Sequence, residues 1–387
     1  MFHGDGDIFL SRHGALIRGV PALAAGVAAA VALALAPRQA LAAAARSWPP
    51  FALVTGLLLV GLVAARTGLF ATVGRAIAAL PGGAISLYAG LLALVAAVTV
   101  VLNLDTAAAF LTPVLVEAAR ARGLDPSPFL YGTVLMCNAA SLLLPGSNLT
   151  NLLVVGETHV PGHRFAAAML PPWGVSVLVT ALVVGVLHRR ALRVGCEGRP
   201  RAQPPRVGAG LLGVLAAAVL VLLRPDPSLS VLGLGGAVAL WGLGRGWLSP
   251  RALVAAVDPR SVGALFALTV ALGTLARSWS LPGDAIAASG PAATALAGCL
   301  GAVMVNNLPA AVLLSAHPVA HPLALLLGLD LGPDLAVTGS LSALLWYRVA
   351  RGTGCRPSVR RYSALGLIAG PLCLLAALLA MRAAPRG

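Results

Sequence analysis

The sequence predicts an all-α polytopic membrane protein made of two inverted repeats, each with a re-entrant helical hairpin and a discontinuous transmembrane helix. Three observations support this prediction. The 387 residues are 59% hydrophobic and only 10% charged, whereas soluble domains carry roughly 25% charged residues. Apolar stretches near the spanning length of about 20 residues recur along the whole chain. Polar residues interrupt these stretches at four points, two in each half of the chain.

Residues 1–188 form the first predicted repeat. Arg12 and Arg18 precede its first apolar run, which we interpret as an anchor helix rather than a cleaved signal peptide. Two later apolar stretches are interrupted, and the first of these is expected to enter and leave the membrane on one side. The predicted spans are residues 19–36, 51–65, the interrupted hairpin 84–117, the interrupted span 129–155 and 166–187.

Residues 189–206 form an arginine-rich linker, which its positive charge places in the cytoplasm. The second repeat, residues 207–387, contains the same order of interrupted hairpin, interrupted span and plain span. Its predicted spans are 207–223, 229–243, 261–276, the hairpin 285–315, the interrupted span 322–349 and 364–381. With the arginine-rich loops in the cytoplasm, the two hairpins open on opposite sides of the membrane. Inverted repeats of this kind are typical of secondary transporters.

The net charge of +15 does not indicate a nucleic-acid-binding protein, because the charges lie in short loops between apolar runs. The chain contains no lysine, so it lacks the phosphate loop of Walker type, which needs one. Uphill transport would therefore need an ion gradient or a soluble ATPase subunit. The five cysteines form no CxxC pair and no metal-ligand spacing, so we expect neither a metal site nor a cofactor.

The four interruptions carry the candidate functional residues. Lipid cannot pair the main-chain amides and carbonyls of a broken helix, so such a helix needs protein or a water-filled cavity around the break. Half-helix ends and polar side chains can then hold a small polar solute or a cation. The residues predicted to line this pathway are Asn103, Asp105, Thr106, Ser147, Asn148, Asn151, Asn306, Asn307, Asp330, Thr338 and Ser340. No catalytic residue is predicted.

Asp105 is the first candidate for proton coupling and Asp330 the second. An acidic side chain inside the membrane costs about 2.5–3.5 kcal/mol on insertion scales, so its presence indicates a function. A carboxyl group in a low-dielectric cavity is the simplest proton carrier. For the Asn and Ser residues a structural alternative stays open, since these residue types often only cap helices. The coincidence of polar clusters with all four interruptions favours the functional interpretation.

Two stretches of the sequence resemble the arsenite permease family of the ion transporter superfamily. The first contains Asn103-Leu-Asp-Thr and, later, Pro-Gly-Ser-Asn148. The second contains Asn306-Asn-Leu-Pro and Asp330-Leu-Gly-Pro. The resemblance implies export of arsenite or antimonite, as the neutral hydroxide, in exchange for protons. It also implies that the polar residues form two hairpin tips and line two unwound spans. Asp334 departs from the family pattern, in which a basic residue is frequent.

The main alternative is a sodium-coupled carrier of dicarboxylates or citrate, or a sodium/proton antiporter, within the same superfamily. Such carriers typically have Ser-Asn-Thr at both hairpin tips, whereas these tips read Asn103-Leu-Asp-Thr and Asn306-Asn-Leu-Pro, which favours the arsenite branch. A passive channel would need no paired inverted breaks. An enzyme is not indicated, since the sequence contains no HExxH and no GxSxG motif.

The expected surroundings follow from this interpretation. We expect a multi-pass protein of the bacterial inner membrane, in contact with the lipid bilayer, a small inorganic solute and a coupling ion, which is a proton or a sodium ion. Nucleic acid is not an expected partner. A homodimer and an ATPase subunit stay open as partners.

Overall fold

The structure is a computed structural model that describes residues 12–156, 161–195, 208–224, 226–279 and 281–383. Within these ranges the chain is helical and contains no β-strand, which confirms the predicted all-α fold. Residues 196–206 of the predicted linker and residues 1–11 of the first predicted repeat lie outside the described ranges. The inverted relation of the two repeats stays a prediction.

The described residues up to 195 form nine helices, and two of the predicted interruptions lie between these helices. The helices are α1 Arg12–Leu35, α2 Pro37–Arg66, α3 Leu69–Ala79, α4 Ala84–Val101, α5 Leu104–Arg120, α6 Ser127–Ala140, α7 Leu149–Val155, α8 Gly162–Leu187 and α9 Arg189–Leu192. A single 3-10 turn, Pro145–Ser147, lies between α6 and α7. The breaks after α4 and after α6 are therefore present where the sequence predicts them.

The second half contains ten described helices and the other two interruptions. They are α10 Ala209–Leu223, α11 Ser228–Gly244, α12 Pro250–Val257, α13 Pro259–Ser278, α14 Leu281–Ala287, α15 Pro291–Val305, α16 Asn307–Leu314, α17 Pro322–Leu331, α18 Leu341–Gly352 and α19 Val359–Ala383. Two 3-10 turns, Gly332–Leu335 and Val337–Gly339, separate α17 from α18. The breaks after α15 and after α17 are also confirmed.

Five described segments are long and apolar enough to cross a membrane: Pro37–Arg66, Ala84–Val101, Gly162–Leu187, Pro250–Ser278 and Val359–Ala383. On α8, Leu178, Leu182 and Val186 recur every four residues and are each more than half exposed. Residues spaced in this way share one helix face. An exposed stripe of large apolar side chains on a spanning helix is the surface expected to face lipid.

The discontinuous helices lie in the interior. Every residue of α6 from Pro128 to Ala140 is buried, and α6 packs against α4, α5 and α8. Trp346 of α18 is also fully buried, and its indole Nε1 donates a hydrogen bond of 2.9 Å to the carbonyl oxygen of Leu130. This bond connects α18 to α6, so the discontinuous helices of the two halves are in contact.

The structure adds helices between predicted spans and moves the start of one span. Helix α3 lies between the predicted spans 51–65 and 84–117, and its residues Phe70 and Ala78 are buried. Helix α12 lies between the predicted spans 229–243 and 261–276. The second span begins at Pro37 rather than at residue 51, because Pro49 and Pro50 lie inside one continuous helix, α2. Proline is tolerated inside spanning helices when neighbouring groups pair the main chain that it leaves free. A pair of prolines is therefore not by itself a helix boundary in this chain.

Gly328 allows α17 to approach α15, and its substitution tests this packing. A Cβ atom at Gly328 would overlap the carbonyl oxygen of Ala295 and lie 2.7 Å from the amide nitrogen of Cys299. We expect Gly328→Ala to lower the free energy of unfolding by about 1–3 kcal/mol, seen as a lower thermal midpoint in detergent. The control is Gly236→Ala, because a Cβ at Gly236 meets no atom within 4 Å. Equal midpoints for the two variants would contradict this account.

Candidate functional site

The first hairpin tip is built around Asn103, between α4 and α5. Its backbone is extended, and its side-chain Oδ1 accepts a hydrogen bond of 2.7 Å from the amide of Thr106. This is an N-cap, which pairs one of the free amides at the start of α5. Asp105 lies in the first turn of α5 and is half-buried, where a negative charge interacts favourably with the helix dipole.

Three side chains form hydrogen bonds to main-chain groups at the second break. Asn148 caps α7, because its Oδ1 accepts a hydrogen bond of 3.2 Å from the amide of Thr150. The hydroxyl of Ser147 donates to the carbonyl oxygen of Val100 at 3.0 Å, which ties this break to the end of α4. Asn151 donates through Nδ2 to the carbonyl oxygens of two residues in the unwound segment. Ser147 and Asn151 therefore pair main-chain groups that the broken helices leave free.

The second hairpin tip is built around Asn306, between α15 and α16. Asn306 has a φ of 81°, a conformation that asparagine tolerates better than most residues. Its Oδ1 accepts a hydrogen bond of 3.3 Å from the amide of Leu308. Its Nδ2 donates at 2.9 Å to the carbonyl oxygen of Thr338, which lies in the fourth break. Asn306 thus connects the second hairpin to the unwound segment between α17 and α18.

The fourth break has the same local geometry as the second. In each, a 3-10 turn is followed by one extended residue, whose side chain caps the next helix: Asn148 before α7 and Ser340 before α18. The Ser340 hydroxyl accepts a hydrogen bond of 3.1 Å from the amide of Ala343 and one of 3.1 Å from the hydroxyl of Ser342. In both unwound segments, a side-chain cap therefore pairs a main-chain amide that has no partner within the helix.

The helices that begin at the four breaks line one cavity of about 340 Å³. The predicted pathway residues that line it are Asn103, Asp105, Asn148 and Asn307. Its opposite wall comes from α2, with Phe51 and Thr55, and from the junction of α12 and α13 around Asp258. The other predicted pathway residues do not line this cavity; they are Thr106, Ser147, Asn151, Asn306, Asp330, Thr338 and Ser340.

Asp330 lies directly behind the cavity wall. Its carboxyl group is 1% exposed, and its Oδ1 accepts hydrogen bonds of 2.8 Å from the Asn148 amide and 2.8 Å from the Thr150 hydroxyl. Both of these donors also line the cavity. A change in the charge of Asp330 would therefore act on two cavity side chains through direct hydrogen bonds.

Sequence reasoning missed six polar cavity residues: Thr55, Thr150, Asp258, Ser261, Ser342 and Arg348. A signal for Arg348 is present in the sequence, because Leu341, Leu345 and Arg348 are spaced to share one face of α18, and all three line the cavity. The sequence prediction includes Arg348 in the interrupted span 322–349 but not among the pathway residues. No comparable signal exists for Asp258, because its position depends on how α12 and α13 pack against the rest of the chain.

The cavity carries charge of both signs. Asp105, Asp258 and Arg348 supply the ionisable side chains. The first residues of α5, α16 and α18 also lie on its wall, namely Leu104, Asn307 and Leu341. Helix N-termini present free amide donors and partial positive charge, and they are frequent sites for anions. The cavity can therefore bind a small anion together with a cation.

Comparison with known proteins identifies the family of this chain. The profile of the CitMHS family, described as citrate transporter, matches residues 8–345. The chain belongs to the CitMHS citrate transporter family. Among solved structures, it is similar to the YdaH transporter of Alcanivorax borkumensis, whose topology is described as unusual. That likeness has a TM-score of 0.57 at 15% identity and covers 96% of this chain and 98% of that one, and it shows the fold. No curated protein matches the chain.

Membership of this family makes the chain a secondary transporter of the membrane and not an enzyme. It also bears on the choice made from sequence. The prediction of a membrane transporter is confirmed. For the substrate, the match to a citrate transporter family favours the citrate-type alternative over arsenite export.

Arg46 of α2 holds the far ends of two half-helices. Its Nη2 donates hydrogen bonds of 3.1 Å to the carbonyl oxygen of Leu153 in α7 and 2.8 Å to that of Ser315 after α16. Both half-helices begin at the cavity and end at this guanidinium group. Positive charge at a helix C-terminus is favourable, so Arg46 stabilises both ends at once.

We expect Arg46→Ala to loosen the last turns of α7 and α16, since loss of a hydrogen bond from a charged donor costs about 1.5–3 kcal/mol. Hydrogen–deuterium exchange measures this as faster exchange in peptides covering these two turns, with no change in α18. Arg245→Ala, at an exposed position after α11, serves as control. Unchanged exchange in both turns would show that Arg46 does not hold them.

Proposed function

We propose that the chain transports a citrate-type polycarboxylate anion through the cavity at its four helix breaks. The observation that carries the proposal is the convergence of three helix N-termini and Arg348 on this one cavity. The description of the matched family, citrate transporter, supports the same substrate class. The location proposed for this activity is the bacterial inner membrane.

Arg348 supports a polycarboxylate rather than a neutral hydroxide as the substrate class. A guanidinium group binds carboxylates with two parallel hydrogen bonds. A neutral arsenic trihydroxide has no negative charge to pair with it. The helix starts at Leu104, Asn307 and Leu341 add amide donors and partial positive charge. This combination suits an anion with several carboxylates better than a neutral hydroxide.

The acidic residues of the cavity support coupling to a cation. Asp105 and Asp258 line the same cavity as Arg348, and their charges would repel a polycarboxylate that entered alone. A cation that neutralises one of these carboxylates removes the repulsion, which links cation and anion binding. We propose the proton as this cation, with Asp105 and Asp330 as its carriers, and sodium as the second candidate. In this proposal an ion gradient drives transport without an ATPase subunit.

Uptake into proteoliposomes tests the proposal. The purified chain is reconstituted, a pH gradient is imposed, and accumulation of citrate and of arsenite is compared with that in protein-free liposomes. We expect citrate to accumulate and arsenite not to accumulate. Accumulation of arsenite without citrate would reverse the assignment of substrate class. A requirement for a sodium gradient in place of the pH gradient would replace the proton as coupling ion.

Arg348→Gln tests the anion site. The substitution removes the positive charge and retains hydrogen-bonding capacity. Loss of a hydrogen bond from a charged donor costs about 1.5–3 kcal/mol. We therefore expect the dissociation constant for citrate to rise roughly 10- to 100-fold. Calorimetric titration of purified protein with citrate measures this dissociation constant. Arg351→Gln is the matched control, since Arg351 is exposed on the same helix and does not line the cavity. Equal citrate affinity in wild type and Arg348→Gln would remove Arg348 from the site.

Asp105→Asn tests the coupling. Asparagine retains the size of the side chain but cannot carry a proton, so pH-driven accumulation should be lost while citrate exchange at equal pH persists. Folding is checked by the size-exclusion profile of the purified variant. Undiminished pH-driven accumulation would exclude Asp105 from the coupling mechanism.

A further inference from the structure

A second buried carboxyl group, Asp334, lies in the unwound segment between α17 and α18. Its side chain is fully buried. Its Oδ1 accepts a hydrogen bond of 2.7 Å from Nδ2 of Asn138, and its Oδ2 has no partner among the described residues. Each carboxylate oxygen normally accepts more than one hydrogen bond when ionised. Asp334 therefore lacks most of the partners that a charged carboxylate requires.

The surroundings of Asp334 offer no compensating charge within the described part of the chain. The ionisable groups near it are Cys137 of α6, Cys299 of α15, Asp330 of α17, and Tyr362 and Cys373 of α19. The hydroxyl of Tyr362 donates to the carbonyl oxygen of Pro333 at 2.8 Å and not to Asp334. None of these groups is a cation at neutral pH.

The packing around Asp334 is also tight. A Cβ atom at Gly366 of α19 would overlap the main-chain carbonyl of Asp334, so the two backbones are in direct contact. Transfer of an isolated ionised carboxylate into such surroundings is far more costly than transfer of the neutral acid. The neutral, protonated form of Asp334 is thus the form that this geometry accommodates.

A chain of hydrogen bonds connects Asp334 to the transport cavity. Asn138, the partner of Asp334, accepts a hydrogen bond of 2.8 Å on its main-chain oxygen from the hydroxyl of Ser141. The same hydroxyl lies 3.2 Å from Oδ2 of Asp330. Asp330 in turn accepts hydrogen bonds from Asn148 and Thr150, which line the cavity. The two carboxyl groups therefore belong to one buried network, which reaches the cavity through Asn148 and Thr150.

The Ser141 hydroxyl has a single hydrogen, and its shorter contact is with the Asn138 oxygen, at 2.8 Å against 3.2 Å to Asp330. When Ser141 donates this hydrogen to Asn138, its oxygen can accept a hydrogen bond from the protonated carboxyl group of Asp330. The network can thus hold a proton at Asp330 as well as at Asp334. A proton arriving from the cavity side would reach Asp330 first.

We propose that Asp334 is a proton-binding group of the transport cycle and that Asp330 is positioned between it and the cavity. This inference rests on the proposed coupling of anion transport to protons. A bound proton neutralises Asp334 in the conformation of this structure, in which the side chain is buried. Its release requires a conformation in which the carboxylate gains water or other donors.

Infrared spectroscopy tests the protonation of Asp334 without any substrate. A protonated carboxyl group has a C=O stretching band separate from that of a carboxylate. We expect purified wild type at neutral pH to show this band and Asp334→Asn to lose part of it. The control Asp284→Asn, at an exposed position of α14 outside the cavity, should retain all of it. An identical band in wild type and Asp334→Asn would overturn the proposal.

Transport measurements then test the coupling. Asp334→Asn should lose pH-driven citrate accumulation by at least about tenfold, equivalent to about 1.4 kcal/mol, while exchange at equal pH persists. A purely structural role would reduce both activities together, and that outcome would contradict the proposal. If wild type accumulates no citrate, the proposed function fails, whereas the infrared result still decides whether Asp334 binds a proton.

A second variant covers the case in which Asp334→Asn does not fold. Asn138→Ala retains the carboxyl group but removes the hydrogen-bond donor that the described residues provide to it. Since that donor favours the ionised form, its loss should shift the pH profile of citrate accumulation toward higher pH. A profile identical to that of wild type would show that the Asn138–Asp334 pair takes no part in proton binding.

Discussion

Main-chain groups that lose their helical partners inside a membrane must find other partners in the protein, and this requirement shapes the whole interior of the chain. Each of the four breaks is followed by a helix that a side chain caps: Asn103, Asn148, Asn306 and Ser340. Two further side-chain bonds start from the breaks: Ser147 donates to Val100 at the end of α4, and Asn306 donates to Thr338 in the fourth break. The polar residues that pair the backbone thereby bring the breaks together.

The position of these breaks also determines where charge can be placed. Helix starts at the cavity contribute amide donors, so the cavity can accept an anion with one arginine, Arg348, among its lining residues. The acidic side chains divide into two groups: Asp105 and Asp258 line the cavity, whereas Asp330 and Asp334 are buried behind its wall. Asn148 and Thr150 connect the groups, because they line the cavity and also bind Asp330. Substrate and coupling ion can therefore influence each other through short-range contacts.

The sequence predicts the breaks well because each depends on local chemistry. Asn103 and Asn306 interrupt long apolar runs, and a polar residue there is costly enough to be informative. What depends on packing is harder to predict. The cavity wall formed by Phe51 and Asp258 comes from α2 and from the junction of α12 and α13, which lie outside the four predicted interruptions. The role of Ser147 as a backbone partner, rather than as a cavity residue, depends on the proximity of Val100. The proposed substrate class rests on the match to the family over residues 8–345, which no single break indicates.

The most direct test of this account is an experimental structure of the protein with citrate bound. We expect continuous density for the anion in the cavity, in contact with Arg348 and with the helix starts next to Asn103 and Asn307, and unwound main chain at all four breaks. Density for the anion elsewhere in the protein, or continuous helices through the breaks, would contradict the claim that these breaks form the transport site.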